Sequence, residues 1–179
     1  MIRKLSMDEL NRKSVQEFKK SSKTPIIVVL DNVRSLNNIG SIFRTADAFL
    51  IEAIYLCGIS ATPPHNEIHK TALGAENSVH WKYFEQTSDA INYLKDNKYI
   101  TVAVEQTASS ISLEKFPIER ENRYALVFGN EVKGIQQQVV DTCDNCVEIP
   151  QFGTKHSFNV SISAGIVLWE WYKNLQIGL

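Results

Sequence analysis

Apolar positions along the chain follow two rhythms. Four short runs are almost continuously apolar: Ile26 to Leu30, Ala53 to Cys57, Ile100 to Val104 and Tyr124 to Phe128, with a shorter one at Val147 to Ile149. Runs of this length, bounded by polar or turn residues, predict strands buried on both faces. Between them the apolar period is helical, at about residues 39–50, 87–97 and 134–142, and a long helical pattern at about 158–175 closes the chain. Strands alternating with helices predict an α/β domain with a mainly parallel sheet flanked by helices. Residues 5–22 read as an amphipathic helix on Leu5, Leu10, Val15 and Phe18, ended by the break from Ser21 to Pro25. The chain thus divides into an N-terminal helical arm, 1–23, and one globular domain, 24–179. Residues 60–82 form the longest irregular stretch, opened by Pro63-Pro64. His65 and His69 lie four apart in it, but beside two prolines they read as surface or loop residues, not a helical metal pair.

In open parallel sheets, ligands bind beyond the carboxyl ends of the strands. Four of the strand ends carry small or polar residues that the strands lack. These are Asp31 to Gly40, Glu105-Gln106-Thr107, Gly129 to Gly134, and Pro150 to Ser157. That is the pattern of a site assembled from loops on a rigid sheet. No G-x-G-x-x-G follows the first strand, which argues against a dinucleotide site and against the common methyltransferase fold with its early glycine-rich turn. There is no phosphate-binding G-x-x-x-x-G-K-[ST], no H-E-x-x-H, and no G-x-S-x-G elbow around Ser157.

With 179 residues, 44% hydrophobic and 22% charged, the chain suits one domain with a sizeable core. The most apolar run, Val160 to Trp169, holds two serines and is closed by Glu170, so it reads as a buried helix and not a membrane span. No signal core follows the basic N-terminus, so the expected compartment is the cytoplasm. Three cysteines argue against a disulfide framework, and Cys143-x-x-Cys146 lacks the second pair that zinc needs, so both read as structural. The net charge of −1 conceals an asymmetry. Residues 1–23 hold seven basic against three acidic side chains, leaving twelve against seventeen in the remainder. A +4 arm on a −5 body suits either a polyanionic partner or a solvated helix face.

Three of the strand-end segments form a recognisable set. Asn38-Ile39-Gly40-Ser41-Ile42-Phe43-Arg44-Thr45 resembles the first motif of the SpoU (TrmH-like) RNA 2′-O-methyltransferases. Leu126 to Ile135 resembles the second, and Ile149 to Gly153 with Ser157 to Ser161 the third. Lys70 to Ala75 resembles a further segment common in these proteins, and the likeness runs from about 25 to 175 in the family's order. The resemblance implies the SPOUT architecture, in which the last strand and helix thread a loop to make a deep trefoil knot. It also implies S-adenosylmethionine as methyl donor, a homodimer, and a ribose 2′-O-methylated in tRNA or rRNA. Lacking an added RNA-binding domain, the chain points to tRNA, with arm, dimer surface and residues 60–82 contacting it. On the last helix, Ile162, Ile166, Trp169 and Tyr172 recur at spacings of three or four, a face for either a second copy or the monomer core.

Methyl transfer from a sulfonium to a hydroxyl is an in-line displacement with an already activated donor, so the reaction needs no metal. The protein must align the reactants and assist proton loss. Resemblance makes Arg44 the central catalytic residue, with Asn38 beside it. A guanidinium rarely yields a proton, so phosphate gripping and hydroxyl polarisation suit Arg44 better than a general-base role. Glu131 either pairs with Arg44, contacts the nucleotide, or complements a helix N-terminus. Ser157 and Asn159 match third-motif positions near the target ribose, and Ser157 equally suits the N-cap of the last helix. Cofactor contacts are expected from Thr107, Leu126, Gly129, Ile149 and Phe158, the last standing where leucine is usual in the family. The competing class is an RNA-binding protein that kept the fold and lost catalysis, which the presence of Asn38, Arg44, Glu131 and Asn159 disfavours.

Overall fold

The structure, a computed structural model, describes residues 2–6 and 8–176. Met1 and Met7 of the expected arm and residues 177–179 of the expected domain lie outside them. Seven parallel strands form one sheet: β1 (Thr24–Asp31), β2 (Ile51–Cys57), β3 (His80–Phe84), β4 (Tyr99–Val104), β5 (Ile111–Ser112), β6 (Arg123–Phe128) and β7 (Asn145–Glu148), in the order β3-β2-β1-β6-β4-β7-β5. Alternate residues of the central strands separate two cores. Ile26, Val28, Leu30, Leu126 and Phe128 face one side, and Ile27, Val29, Ala125 and Val127 the other. All are essentially inaccessible to water, which is why these strands read as unbroken apolar runs.

One face is covered by α1 (Val15–Lys20), α2 (Leu36–Ala48), α3 (Asn66–Ala72), α4 (Ala75–Ser78) and α7 (Val160–Gln176). The other is covered by α5 (Thr87–Asp96) and α6 (Gln137–Thr142). Helix α2 buries Ile39, Ile42, Phe43 and Ala46 and packs closely on α3. Gly40 permits this approach: a Cβ there would fall 2.1 Å from Thr71 Oγ1 and 2.4 Å from the Ile68 carbonyl. Helix α7 buries Val160, Ala164, Val167, Leu168 and Trp171, a stripe at helical spacing, with the Trp171 ring 5.4 Å from Phe116 and 5.9 Å from Tyr124. Its opposite side leaves Ile162 and Trp169 about half exposed.

Two sequence expectations need correction. The arm is not one helix over 5–22: a 3₁₀ turn spans Asp8–Leu10, Asn11 turns left-handed (φ 46°), and α1 starts afresh at Ser14. Ser14 and Glu17 make a reciprocal capping box, with Ser14 N donating to Glu17 Oε2 at 2.7 Å. Only Phe18 of the four apolar positions is buried; Leu5 and Val15 are exposed. The stretch 60–82 is not irregular either, since α3, α4 and the start of β3 lie in it. His65 caps α3, its ring accepting from Glu67 N at 3.1 Å, and His69 pairs with Glu76 at 2.5 Å. Strand β3 has no apolar signature because it is a sheet edge whose residues are nowhere fully buried.

Candidate active site

Strands β6, β4 and β7 are neighbours in the sheet, and the loops beyond their carboxyl ends enclose a cavity of about 710 Å³. The first wall is Glu105 to Thr107. The second is the turn 129–135. The third runs from Glu148 through Phe158 into α7. Asn130 closes the second wall, exchanging backbone hydrogen bonds with Gly134 (3.0 and 2.9 Å) while its Oδ1 accepts from the amides of Val132 and Lys133. A Cβ on Gly129 would lie 2.2 Å from both Gly134 C and Ile135 N, so only glycine lets the turn fold back this tightly.

The first and third motifs meet the second at the cavity rim. The Glu131 carboxylate accepts from the amides of Arg34 (3.0 Å) and Ser35 (2.9 Å) and from Asn38 Nδ2 (3.1 Å). Asn38 Oδ1 in turn accepts from Asn159 Nδ2 at 3.1 Å, so Glu131, Asn38 and Asn159 form one hydrogen-bonded chain. Asn159 also caps α7, its Oδ1 accepting from Ser161 N at 2.9 Å. The cap is therefore Asn159, and Ser157 is an exposed residue of the cavity lining.

Of the other sequence candidates, Thr107, Gly129, Ile149 and Phe158 line the cavity. Leu126 does not: it is fully buried inside β6, two residues before Phe128, where the cavity begins. Arg44 is exposed on α2, outside the cavity lining, and makes no hydrogen bond or ion pair among the described residues. Glu131 therefore does not pair with Arg44; it serves the chain entering α2, the helix-complementing option. Burial pushes its carboxyl up, but the Arg34 and Ser35 amides outweigh that and hold it below the usual carboxylate range. A depressed carboxyl stabilises the fold above the unfolded value of roughly 4.3, and that contribution fades as pH falls through the lower folded value. Glu131→Gln should therefore flatten the acid limb of a stability–pH curve below about pH 4.3. Superimposable acid limbs for variant and parent would refute this.

Sequence reasoning does not single out Glu105, Gln106 or Asp31. Glu105 accepts from the amides of Gln106 (2.9 Å) and Ile135 (3.0 Å), joining the first two walls, and Gln106 Nε2 donates to His156 O (3.2 Å), joining the third. Asp31, wholly buried, accepts from Asn32 Nδ2, Thr87 Oγ1, Gln136 Nε2 and Gln136 N at 2.6–2.9 Å. Their position at the ends of strands β4 and β1 is the available signal. Burial raises the thiols of Cys143, to about 12, and Cys146, opposite to what a reactive C-x-x-C requires. Among the described residues no three His, Cys, Asp or Glu side chains are grouped to hold a metal.

The cavity fits a cofactor on its own terms. Among the described residues, Thr107 Oγ1 is buried there with no hydrogen-bond partner. Several known proteins are similar to this chain. The 23S rRNA (guanosine-2′-O-)-methyltransferase of Neisseria meningitidis is 30% identical over 83% of this chain and 58% of its own length. The tRNA (guanosine(18)-2′-O)-methyltransferase of Aquifex aeolicus is 27% identical, over 95% of this chain and 79% of its own. The crystal structure of AdoMet-bound rRNA methyltransferase from Sinorhizobium meliloti superposes with a TM-score of 0.79 at 27% identity, covering 88% of this chain and 59% of that one. The chain spans about three fifths of the first curated relatives it matches, 63% and 58% of two of them. Residues 25–169 match the SpoU rRNA Methylase family. Strand ends, motifs and relatives coincide, and the chain belongs to the SpoU rRNA Methylase family.

Proposed function

We propose that this protein is an S-adenosylmethionine-dependent RNA ribose 2′-O-methyltransferase. The carrying observation is the meeting of three strand-end loops at one cavity, with the Thr107 hydroxyl inside it unpaired among the described residues and the Glu131–Asn38–Asn159 chain bringing the first motif to its rim. Bound there, the cofactor supplies a methyl group already activated on a sulfonium. Thr107, the turn at Gly129, and the segment bearing Ile149 and Phe158 hold it and exclude water. Asn38 and Asn159 are oriented by Glu131, and with Ser157 they position the ribose hydroxyl. Arg44, outside the cavity and without a partner among the described residues, is available to grip the phosphate of the target nucleotide and polarise that hydroxyl, whose proton leaves to water. The reaction runs without a metal.

The favoured substrate is tRNA. One relative named for tRNA is covered by this chain over 79% of its length and another over 10%, while those named for 23S rRNA are covered over 58–68%. An rRNA target is the alternative. We also assign the chain a cytoplasmic place, and a C-terminal trefoil knot supported by α7 leaving β7, which lies between β4 and the edge strand β5, to pack on α2, β1 and residues 113–115. The functional test is transfer of tritiated methyl groups, in chelator, into total tRNA and rRNA from cells lacking this gene, followed by mapping of the label. Label at a ribose 2′-oxygen supports the reading; no label in either RNA pool, or label on a base, sinks it.

A homodimer is part of the same reading. Ile162 and Trp169 lie exposed on α7, with Phe49, Trp169 and Tyr172 clustered at 5.0–6.2 Å. Apolar surface of this kind on an otherwise packed helix is an interface signature. Sedimentation should show a particle twice the 20.3 kDa chain mass. Trp169→Glu should shift it to the monomer; a monomeric parent at micromolar concentration would refute the dimer.

A further inference from the structure

The cavity wall is acidic. Among the described residues, the carboxylates of Glu105, Glu131 and Glu148 line it, against the ammonium of Lys133 and the imidazole of His156. Glu131 is committed to the chain entering α2. Glu148 has no side-chain hydrogen bond among the described residues and is free to turn to water. Glu105 is fixed. One of its oxygens accepts from the Gln106 amide at 2.9 Å and the other from the Ile135 amide at 3.0 Å. Gly134, at φ +68°, lets it lie against the turn, since a Cβ there would fall 2.2 Å from Oε2. Each oxygen retains acceptor capacity after these bonds. The carboxylate is therefore a fixed negative charge between two of the three walls.

Methyl transfer changes the ligand's charge at one atom. The carbon–sulfur bond breaks with its electron pair going to sulfur, the new bond forms to the ribose oxygen, and the hydroxyl proton leaves to water. A sulfonium cation has become a neutral thioether. We infer that Glu105 is a specificity-determining residue that makes this cavity prefer the cationic donor to its spent thioether, so that product leaves and fresh donor enters. The inference rests on the methyl-donor reading above. An anionic wall does not act on a neutral thioether, but attracts a cation through a partly solvated path, worth on the order of fivefold in affinity.

The test is calorimetric titration of the RNA-free protein with S-adenosylmethionine, with S-adenosylhomocysteine, and with the analogue carrying a protonated amine at the sulfur position. The parent should bind both cationic ligands about fivefold more tightly than the thioether. In Glu105→Gln the three affinities should converge to within about twofold, chiefly by weakening of the cationic ligands. Raising salt should compress the same ratio in the unmutated protein, a readout independent of the variant's folding. An unchanged ratio in Glu105→Gln overturns the inference. So does equal weakening of all three ligands, which would make Glu105 only a clip between loops. Failure of the parent to bind any of the three instead removes the methyl-donor reading on which the inference stands.

Discussion

Arg44→Ala should lose methyl transfer by on the order of 10²-fold or more, while S-adenosylmethionine affinity changes by less than about twofold. The separation follows from geometry. Arg44 is exposed on α2 and lies outside the cavity, whereas the walls proposed to hold the cofactor begin at residue 104. With no partner among the described residues, removing the side chain breaks no ion pair and empties no core, so stability should hardly move. Arg44→Lys should rescue poorly, because one ammonium cannot copy a planar, two-pronged grip on a phosphate. Rates should be read at saturating RNA and cofactor, with the cofactor dissociation constant measured alongside. If Arg44→Ala retained a third or more of the parental turnover, the catalytic assignment would be wrong. If it lost cofactor affinity instead, Arg44 would belong to the cavity and not to the RNA side.

The sheet is legible in the sequence because its central strands are buried on both faces. A run such as Ile26 to Leu30 has no polar face to blur it, and all five expected strands are present within a residue or two at either end. The edges are not legible for the converse reason. Strand β3 mixes His80, Lys82 and Tyr83, and β5 has only Ile111 and Ser112, so neither shows a period. In the arm, apolar residues at plausible spacing mask a stronger local signal. Ser14 with Glu17 three residues on is a capping box, and it marks the true start of the helix.

The candidate site divides along similar lines. Motif resemblance locates the three loops, and most of the residues expected there line one cavity or bond to its rim. What it does not locate are contacts made by one motif for another. Arg44 offers Glu131 an obvious opposite charge, yet the carboxylate is held by the Arg34 and Ser35 amides and by Asn38 Nδ2. Backbone amides at a loop entering a helix carry no residue-type signature, so sequence leaves the Arg44 pair, a nucleotide contact and a helix N-terminus open for Glu131 and cannot name the actual donors. Glu105 meets Ile135 across 30 positions of sequence, where no local pattern points to the pairing.

Asp31 makes another long-range contact of this kind, and its removal should have the largest effect on stability. It ends β1 fully buried, and 105 positions separate it from Gln136, whose amide and side chain both donate to it. Thr87, at the start of α5, donates to the same carboxylate at 2.6 Å. One buried side chain therefore ties β1 to the starts of the two helices on that face. Burying a carboxylate without a cation is costly, and here four donors offset the cost. Asp31→Ala recovers the desolvation but leaves the Gln136 amide and the Thr87 hydroxyl without an acceptor, each worth about 1–3 kcal/mol. A net loss of about 3 kcal/mol should lower the melting temperature by about 10 °C in a domain of this size. Asp31→Asn keeps the shape and one acceptor oxygen, so it should fall between Ala and the parent. Because Gln136 follows Ile135 in the second cavity wall, both variants should also weaken cofactor binding in proportion to the stability they lose. Equilibrium urea unfolding with parallel calorimetry tests this. An Asp31→Asn protein as stable as the parent, or more so, would mean that desolvation outweighs the four bonds, and the bracing role would have to be abandoned.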